Sequence, residues 1–314
     1  MSVRTPLAAQ VHVGERLGLG STHAELLIGG LVNHVFRVHL TRGDSVVVKH
    51  APPYVASQPE LALDPSRVYF EAQALEWVGQ RKDQRIGVPE LLDVHAHTLI
   101  LRDLGPCQDL SEVLKGGGGK SLLGTLGDWL LGLHQDPGAP KLHNLPVQQT
   151  RMVLQYQSIG PCLETLGVAD AAALGARAAE LGARLLHSGP SLVMGDLWPP
   201  SVLVDAQGRP WIIDWEFCTK GQPAQDLGHL AAHLWMQAHV QGTPVFLAEH
   251  FLCAAQACSP AQAWASRDLR THAACEVLTR AVGAFSKEGP FAGLGRENPT
   301  MQGAIAFALR LLRT

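Results

Sequence analysis

The chain has 314 residues, of which 46% are hydrophobic and 17% are charged, and its formal net charge is −3. This length exceeds what most single hydrophobic cores support and predicts two domains. The slight acidity argues against nucleic-acid binding as the main function, because affinity for the phosphate backbone needs a basic surface. The high apolar content excludes a disordered chain.

The cysteines and the N-terminus indicate the compartment. The 6 cysteines are spread through the chain without a CxxC pair or a zinc-ligand spacing. We expect them to be free thiols in a reducing compartment, with a disulfide framework as the alternative. The N-terminal residues lack the apolar segment of a signal peptide, and no stretch approaches the ~18 apolar residues of a membrane span. We therefore expect a soluble, cytoplasmic protein.

The first third of the sequence is rich in strand patterns. Residues 25–40 predict a strand, a glycine-containing turn and a second strand, and residues 42–51 predict a third strand after a tight turn at Gly43. An irregular, Pro-rich stretch then leads to a helix predicted over 67–81, because apolar residues recur there at helical spacing. Residues 88–105 predict two more strands.

The rest of the sequence is mainly helical and begins with a flexible, glycine-rich loop at 115–120. Helices are predicted over 124–136 and 170–189, and Gly189 is the predicted C-cap of the second. Several further helices are predicted from Pro223 to the C-terminus.

A short β-hairpin, formed by 202–204 and 211–213, interrupts this helical region. The whole pattern predicts an α+β fold of two lobes with a cleft between them. The β-rich N-lobe covers 1–103, and the mainly helical C-lobe with the small hairpin covers 104–314.

Two charged residues in the N-terminal third lie in apolar surroundings. Lys49 ends an apolar strand, and Glu71 lies on the apolar stripe of the next predicted helix. Because isolated buried charges are costly, a Lys49–Glu71 pair would explain both, and it would direct an ammonium group at phosphate oxygens. The alternative is an exposed lysine and a solvated glutamate.

Gly29 and Gly30 lie between two predicted strands. Without a Cβ atom, backbone amides there can approach phosphates closely. The alternative for this pair is an ordinary turn.

Three acids accompany the predicted hairpin: Asp196, Asp214 and Glu216. Asp196 follows a short apolar strand and Asp214 ends the second hairpin strand, so the hairpin can bring both to one end. Converging carboxylates repel each other unless a cation neutralises them, and Mg²⁺ prefers such oxygen ligands. Helix capping or pairing with arginines is the alternative.

Together these residues resemble the protein-kinase-like small-molecule kinases of the aminoglycoside phosphotransferase and choline kinase superfamily, over nearly the whole chain. The segment that runs from VVVKHAPPYV to RVYFEA is similar to methylthioribose kinases. The runs MGDLW and DWEFC are similar to fungal 4-hydroxytryptamine kinase-like small-molecule kinases. The resemblance implies ATP- and Mg-dependent phosphorylation of a hydroxyl on a small molecule, either a methylthioribose-like sugar or a hydroxylated amine or alcohol, with no nucleic-acid or membrane partner.

The resemblance also implies roles for individual residues. Asp196 would be the catalytic base, and Asp226 would support its loop. The residues that would contact ATP are Lys49, Glu71, Gly29, Gly30, Asn33, Arg102 and Leu104. Those that would hold Mg²⁺ are Asp214, Glu216 and Ser201. The acceptor pocket would be built by C-terminal helices with His229, His233, Trp235, Trp264 and Arg280, although these residues could equally be core.

Two residues depart from the superfamily pattern. Met194 stands where most members have His, and Ser201 stands where they have a metal-binding Asn. These departures favour an alternative reading, a catalytically impaired pseudokinase or ligand-binding module, whereas the retained site residues argue against it. The missing HRD-type loop disfavours a protein kinase. Only Arg280 remains of the arginine pair that binds substrate in methylthioribose kinases, which disfavours that substrate.

Overall fold

The computed structural model describes residues 2–27, 31–243, 245–287 and 289–314. The chain divides into two compact units. One runs to Gln108 and adds Leu203–Cys218, and the other comprises Asp109–Val202 and Thr219–Thr314.

The described ranges contain the following elements, given in chain order. The first are α1 (Pro6–Leu17), β1 (Ser21–Leu26), β2 (His34–Leu40), β3 (Ser45–His50), β4 (Tyr54–Val55), β5 (Gln58–Ala62), α2 (Arg67–Gly79), β6 (Leu91–His95), β7 (Thr98–Arg102) and β8 (Cys107–Asp109). Next come α3 (Leu110–Lys115), α4 (Lys120–His134), α5 (Leu145–Arg151), a π-helical turn (Met152–Gln157), α6 (Ile159–Thr165), α7 (Ala171–Arg184) and β9 (Ser191–Val193). The last are β10 (Val202–Asp205), β11 (Pro210–Ile212), β12 (Thr219–Gly221), α8 (Pro223–Gln241), α9 (Phe246–Gln256), α10 (Arg267–Ala281) and α11 (Pro299–Arg313).

The first unit is built on a five-stranded antiparallel sheet with the order β1-β2-β3-β7-β6. One face packs on α1, where Phe36, Val48 and Ile100 join Val13 in a buried core. Because side chains alternate along a strand, Lys49 lies on the opposite face from Val48. This register places the lysine where it can serve a site instead of the core.

Helix α1 did not appear in the sequence analysis. The Thr5 side chain accepts a hydrogen bond from the Ala8 backbone N–H, Pro6 occupies the first turn, and Gly18 ends the helix with a φ of 66°. These are ordinary helix start and stop signals. The helix was therefore predictable from these residues alone.

The hairpin of β10 and β11 belongs to the first unit, although it was predicted with the C-lobe. Backbone hydrogen bonds join Gly87 to Pro210 and Ile212. A Cβ atom at Gly87 would lie 2.5 Å from the Trp211 ring, so only glycine permits this approach. The predicted boundary at residue 103 also falls short of the observed one after Gln108.

The second unit is mainly helical, with α8 and α10 packed together at its centre and α4 packed on α9. The predicted C-cap at Gly189 is wrong, because α7 ends at Arg184. The backbone N–H of Gly189 instead donates to the backbone carbonyl of Lys220, and a Cβ atom at Gly189 would lie 2.1 Å from the Gly221 carbonyl oxygen. Gly189 thus serves a close backbone approach.

Two further expectations concern the whole chain. All 6 cysteines are free thiols, as predicted. Across the described ranges, no helix combines the length and the hydropathy that crossing a bilayer requires.

Candidate active site

Lys49 is the centre of a buried charge cluster in the first unit. Its Nζ atom lies 2.9 Å from Oε1 of Glu71 and 2.9 Å from Oδ1 of Asp214. The predicted Lys49–Glu71 pair is therefore present, and the lysine bridges two carboxylates. Burial by itself lowers the pKa of Lys49, but Asp214, Glu216 and Glu71 outweigh it and raise the pKa above its ordinary value. The ammonium therefore stays charged.

The pKa of Glu71 is raised as well, but here burial is the main cause and not the opposing influence. Burial raises its pKa to about 7, and Glu216 and Asp214 add to this shift, whereas Lys49 lowers it. The carboxyl group is thus kept in place by the lysine at a cost in desolvation.

Asp214 and Glu216 have different environments, although the sequence predicted both as metal ligands. Asp214 follows β11 in the left-handed backbone region, with a φ of 64°, and its side chain is 45% exposed. Glu216 is 3% exposed. Its Oε1 atom accepts a hydrogen bond from Asn33 at 2.7 Å, and its Oε2 atom accepts one from Arg67 at 2.7 Å.

Arg67 is a site residue that the sequence analysis missed. Its side chain is fully buried. Besides Glu216, its guanidinium donates to Oδ1 of Asn33 at 2.9 Å and to the carbonyls of Pro52 and Asp64, each at 2.9 Å. Asn33, which was predicted to contact ATP, is therefore committed to this network.

A cavity of about 140 Å³ lies beside Lys49. Its lining includes Arg102 and Leu104, both predicted to contact the nucleotide, together with Asp103, Gly105, Val35, Leu101, Leu203 and Ile213. The Arg102 side chain pairs with Glu90 at 2.5 Å and is 54% exposed. The other walls are mostly apolar, which suits a flat aromatic ring. Gly29 and Gly30 lie outside the described residues.

Asp103 fixes the chain segment that borders this cavity. It accepts hydrogen bonds from Arg37 at 2.6 Å, from the Ser45 hydroxyl at 2.6 Å and from the Gly105 N–H at 3.0 Å. Burial raises the pKa of Asp103, but these donors outweigh it and hold the pKa below its usual value. The segment is thereby tied to β2 and β3.

In the second unit, Asp196 lies on a loop after β9, and its side chain is 33% exposed. Asp226 accepts hydrogen bonds from the backbone N–H groups of Met194 at 2.9 Å and Gly195 at 2.8 Å. The Nε2 atom of His134 lies 3.0 Å from the same carboxylate. The loop is therefore anchored through Asp226 although Met194 replaces the usual histidine.

Ser201 was predicted as a third metal ligand, but its hydroxyl is engaged locally. It donates to the Trp198 carbonyl at 2.8 Å and accepts from the Trp198 N–H at 3.2 Å. The residue is fully buried. The hydroxyl stabilises the turn that follows the loop.

A second buried charge cluster surrounds Glu276. Its Oε1 atom lies 2.8 Å from His233 Nε2, 3.3 Å from His229 Nε2 and 2.9 Å from Arg280 Nε, and its Oε2 atom accepts from Gln155. Burial raises the pKa of Glu276, but its cationic and hydrogen-bonding neighbours outweigh this and hold it well below its usual value. Glu276 is therefore anionic.

This cluster continues to Asp196. The Oδ1 atom of Asp196 lies 3.7 Å from His229 Nδ1 and 3.9 Å from Arg151 Nη1. The Arg280 guanidinium lies over the Trp198 ring, 5.2 Å from its centre, and that ring lies 5.6 Å from the His233 ring. The predicted acceptor residues His233 and Arg280 are thus brought together near Trp198, a residue that was not singled out.

The structure does not bring Trp235 to this group. Two residues after His233, it points to nearly the opposite side of α8. Its ring stacks on Phe307 with a centroid distance of 3.7 Å and on His239 at 4.6 Å. Trp264 packs edge-on against the same Phe307 ring. These two tryptophans form part of the packing of α8 and α11.

His229, His233 and Glu276 have ligand atoms close enough to hold a metal ion. Arg280 already donates to the same Glu276 oxygen, and Arg151 donates to His229. Two guanidinium groups beside a divalent cation are electrostatically unfavourable. The hydrogen bonds that these side chains already make therefore suit them better than a bound metal ion would.

The charge cluster at Lys49 with its cavity in the first unit, and the anchored Asp196 loop in the second unit, are features that the sequence predicted for a phosphotransferase of the protein-kinase-like fold. The chain belongs to the phosphotransferase enzyme family known as APH, whose match covers residues 23–267.

The chain is 28% identical over 249 residues to the 4-hydroxytryptamine kinase of Psilocybe cyanescens, covering 68% of each chain. It also has the fold of the choline kinase LicA of Streptococcus pneumoniae, with a TM-score of 0.56, 16% identity and 97% of each chain covered. A LicA structure with AMP gives a TM-score of 0.58 at 15% identity, with 98% of each chain covered. The predicted family and fold are therefore confirmed, and the protein is a small-molecule phosphotransferase.

Proposed function

We propose that the protein transfers the γ-phosphate of ATP, in the presence of Mg²⁺, to a hydroxyl of a small hydroxylated amine. The observation that carries this proposal is the position of Lys49, which lies 2.9 Å from both Glu71 and Asp214 beside a cavity. A buried lysine held between a helix glutamate and a half-exposed aspartate is suited to bind nucleotide phosphates.

The residues of the first unit fit a nucleotide with its metal. Lys49 contacts phosphate oxygens, and the apolar cavity at Leu104 receives the base. The half-exposed carboxylate of Asp214 is an oxygen donor of the kind Mg²⁺ binds. The metal, when bound, supplies positive charge at the phosphates.

In the second unit, Asp196 orients the acceptor hydroxyl and accepts its proton. The hydrogen bonds from Met194 and Gly195 to Asp226 keep the loop in place for this role. Phosphoryl transfer depends mainly on positioning and electrostatics, so an anchored loop matters more than the identity of the residue at 194.

The acceptor class rests on the relatives and on Trp198. The Psilocybe relative is named for a substrate that combines an aromatic ring, a hydroxyl and an amine. Trp198 is partly exposed, follows Asp196 closely in the chain and has an Arg280 guanidinium over its ring. An aromatic surface beside the base suits a flat acceptor. Glu276 is already engaged by His233 and Arg280, so it does not serve as the site for the amine.

The test is an ADP-release assay with Mg·ATP against 4-hydroxytryptamine, choline, ethanolamine, methylthioribose and an aminoglycoside. We expect release above the ATPase background with a hydroxylated amine, and loss of that release in Asp196→Asn. Rapid turnover of methylthioribose alone would contradict the proposed acceptor class, and no release with any acceptor would contradict transfer.

One observation favours a second candidate, a nucleotide-binding protein without transfer activity. The Ser201 hydroxyl is engaged by Trp198, which leaves fewer groups for a metal. This candidate predicts that Mg·ATP raises the melting temperature while every acceptor fails to release ADP.

A further inference from the structure

Glu216 is held on both carboxylate oxygens by donors from other parts of the first unit. Asn33 donates to Oε1 and Arg67 donates to Oε2, each at 2.7 Å, and Lys49 lies 3.8 Å from Oε1. The guanidinium of Arg67 also closes a bond to Asn33 at 2.9 Å. The three side chains form a closed ring of hydrogen bonds, and each of them is buried.

This ring is a poor place for a divalent cation. A metal at Glu216 would displace Arg67 or Asn33, and it would lie close to two permanent positive charges. An unpaired guanidinium in a fully buried position is strongly destabilising. By contrast, Asp214 has 45% of its side chain exposed, and its carboxylate pairs with Lys49 at 2.9 Å.

We propose that Glu216 is an anchor and not a metal ligand, so that Asp214 is the carboxylate that binds Mg²⁺, while Arg67 positions the metal-binding segment. This inference rests on the proposed function. Mg²⁺ is commonly held by one or two carboxylates together with substrate phosphates, so a single aspartate suffices.

Arg67 extends the anchor to the irregular stretch before α2. Its donation to the carbonyls of Pro52 and Asp64, at 2.9 Å each, fixes both ends of that stretch. One arginine therefore connects the residue before β2, the stretch before α2 and the segment that carries Asp214.

The test measures how strongly Mg²⁺ tightens ADP binding, by calorimetric titration of ADP in EDTA and in excess MgCl₂. In the unmodified protein we expect Mg²⁺ to tighten binding by on the order of tenfold or more, a typical coupling between two ligands. The ratio of the ADP affinity in MgCl₂ to the ADP affinity in EDTA, called here the Mg²⁺ ratio, measures this tightening. Asp214→Asn should reduce the Mg²⁺ ratio to about one without lowering the melting temperature. Glu216→Gln should keep the ratio and lower the melting temperature by several degrees, because the ring loses a charged acceptor.

Asn33→Ala provides a second variant that opens the ring and leaves both carboxylates in place. We expect it to lower the melting temperature and to keep the Mg²⁺ ratio. The inference is overturned if the Mg²⁺ ratio falls to about one in either Glu216→Gln or Asn33→Ala, as it is expected to do in Asp214→Asn. If the unmodified protein binds ADP without any Mg²⁺ effect, the proposed function fails together with the inference.

Discussion

The two units each contain a buried charge cluster, and the two clusters differ in their balance of acidic and basic groups. The first has three acids and two bases, which are Glu71, Asp214, Glu216, Lys49 and Arg67. The second has two acids against two arginines and two histidines, which are Asp196, Glu276, Arg151, Arg280, His229 and His233. An excess of acids is suited to a cation, whereas the second cluster satisfies its own charges.

Access to solvent separates the members within each cluster. In each unit one carboxylate at the edge of the cluster reaches solvent, and these are the two proposed to do chemistry. Asp214 has 45% of its side chain exposed and Asp196 has 33%. The buried members, such as Glu216 and Glu276, fix the positions of the side chains around them. A buried carboxylate is thus weak evidence for a ligand site until its hydrogen-bond partners are counted.

The prediction with the largest expected effect distinguishes the roles of the two partly exposed carboxylates, Asp196 and Asp214. Asp196→Asn should lower kcat by roughly 10²–10⁴-fold, because it removes the group that accepts the acceptor proton. Its ADP affinity in the presence of Mg²⁺ should be unchanged. Steady-state kinetics with the best acceptor of the screen and ADP titration measure the two quantities.

Asp214→Asn is the matched variant, since it changes the same chemical group in the other unit. It should weaken Mg-dependent ADP binding, which Asp196→Asn leaves intact. If both variants weakened ADP binding equally, the assignment of nucleotide to one unit and base to the other would be wrong.

The second prediction concerns the buried charge cluster around Glu276 in the second unit. Glu276→Ala should lower the free energy of unfolding by about 3–5 kcal/mol, because Arg280 and the two histidines lose their shared acceptor in a buried site. Urea unfolding measures this loss. Glu164→Ala, an exposed position on α6, is the control and should change stability by less than about 0.5 kcal/mol. A loss as small as the control's would mean that Glu276 does not organise the cluster.

The sequence predicted the parts of the site that depend on local pattern. The apolar stripe of α2 contains Glu71, and the strand of Lys49 alternates, so their pairing follows from short-range periodicity. The hairpin around Asp214 was also readable from its turn. These features need no knowledge of distant contacts.

The missed parts depend on contacts between distant segments. Arg67 begins α2, where the helix dipole disfavours a cation, and that position alone could have indicated a special partner. Its partner Glu216 is far away in the chain, so no spacing rule connects them. The same holds for Gly189, whose role is set by Gly221 on another segment.

The third prediction uses pH, because the clusters should respond to acid with opposite sign. Burial lowers the pKa of His233 to about 4, with Glu276 opposing it. The folded protein therefore binds fewer protons there than the unfolded chain, and stability falls as pH falls from 6.5 towards 4. Burial raises the pKa of Glu71 to about 7, so its contribution to stability increases as pH falls from 7 towards 4.5.

Chemical denaturation across pH 4–7 tests this difference. His233→Asn should make stability less sensitive to acid, and Glu71→Gln should make it more sensitive. A shift of both profiles in the same direction would contradict the contrast between the clusters.

The smallest expected effect tests whether the second cluster extends to Tyr156. Its hydroxyl lies 2.7 Å from His272 Nδ1, and both residues are buried. Tyr156→Phe should lower the free energy of unfolding by about 1 kcal/mol, the net contribution of one buried hydrogen bond. Tyr69→Phe in the first unit is the matched control, because Tyr69 is 38% exposed, and it should be nearly neutral. Equal losses in urea unfolding would show that the hydroxyl adds nothing to the cluster, and an accompanying fall in kcat would place Tyr156 in the acceptor site instead.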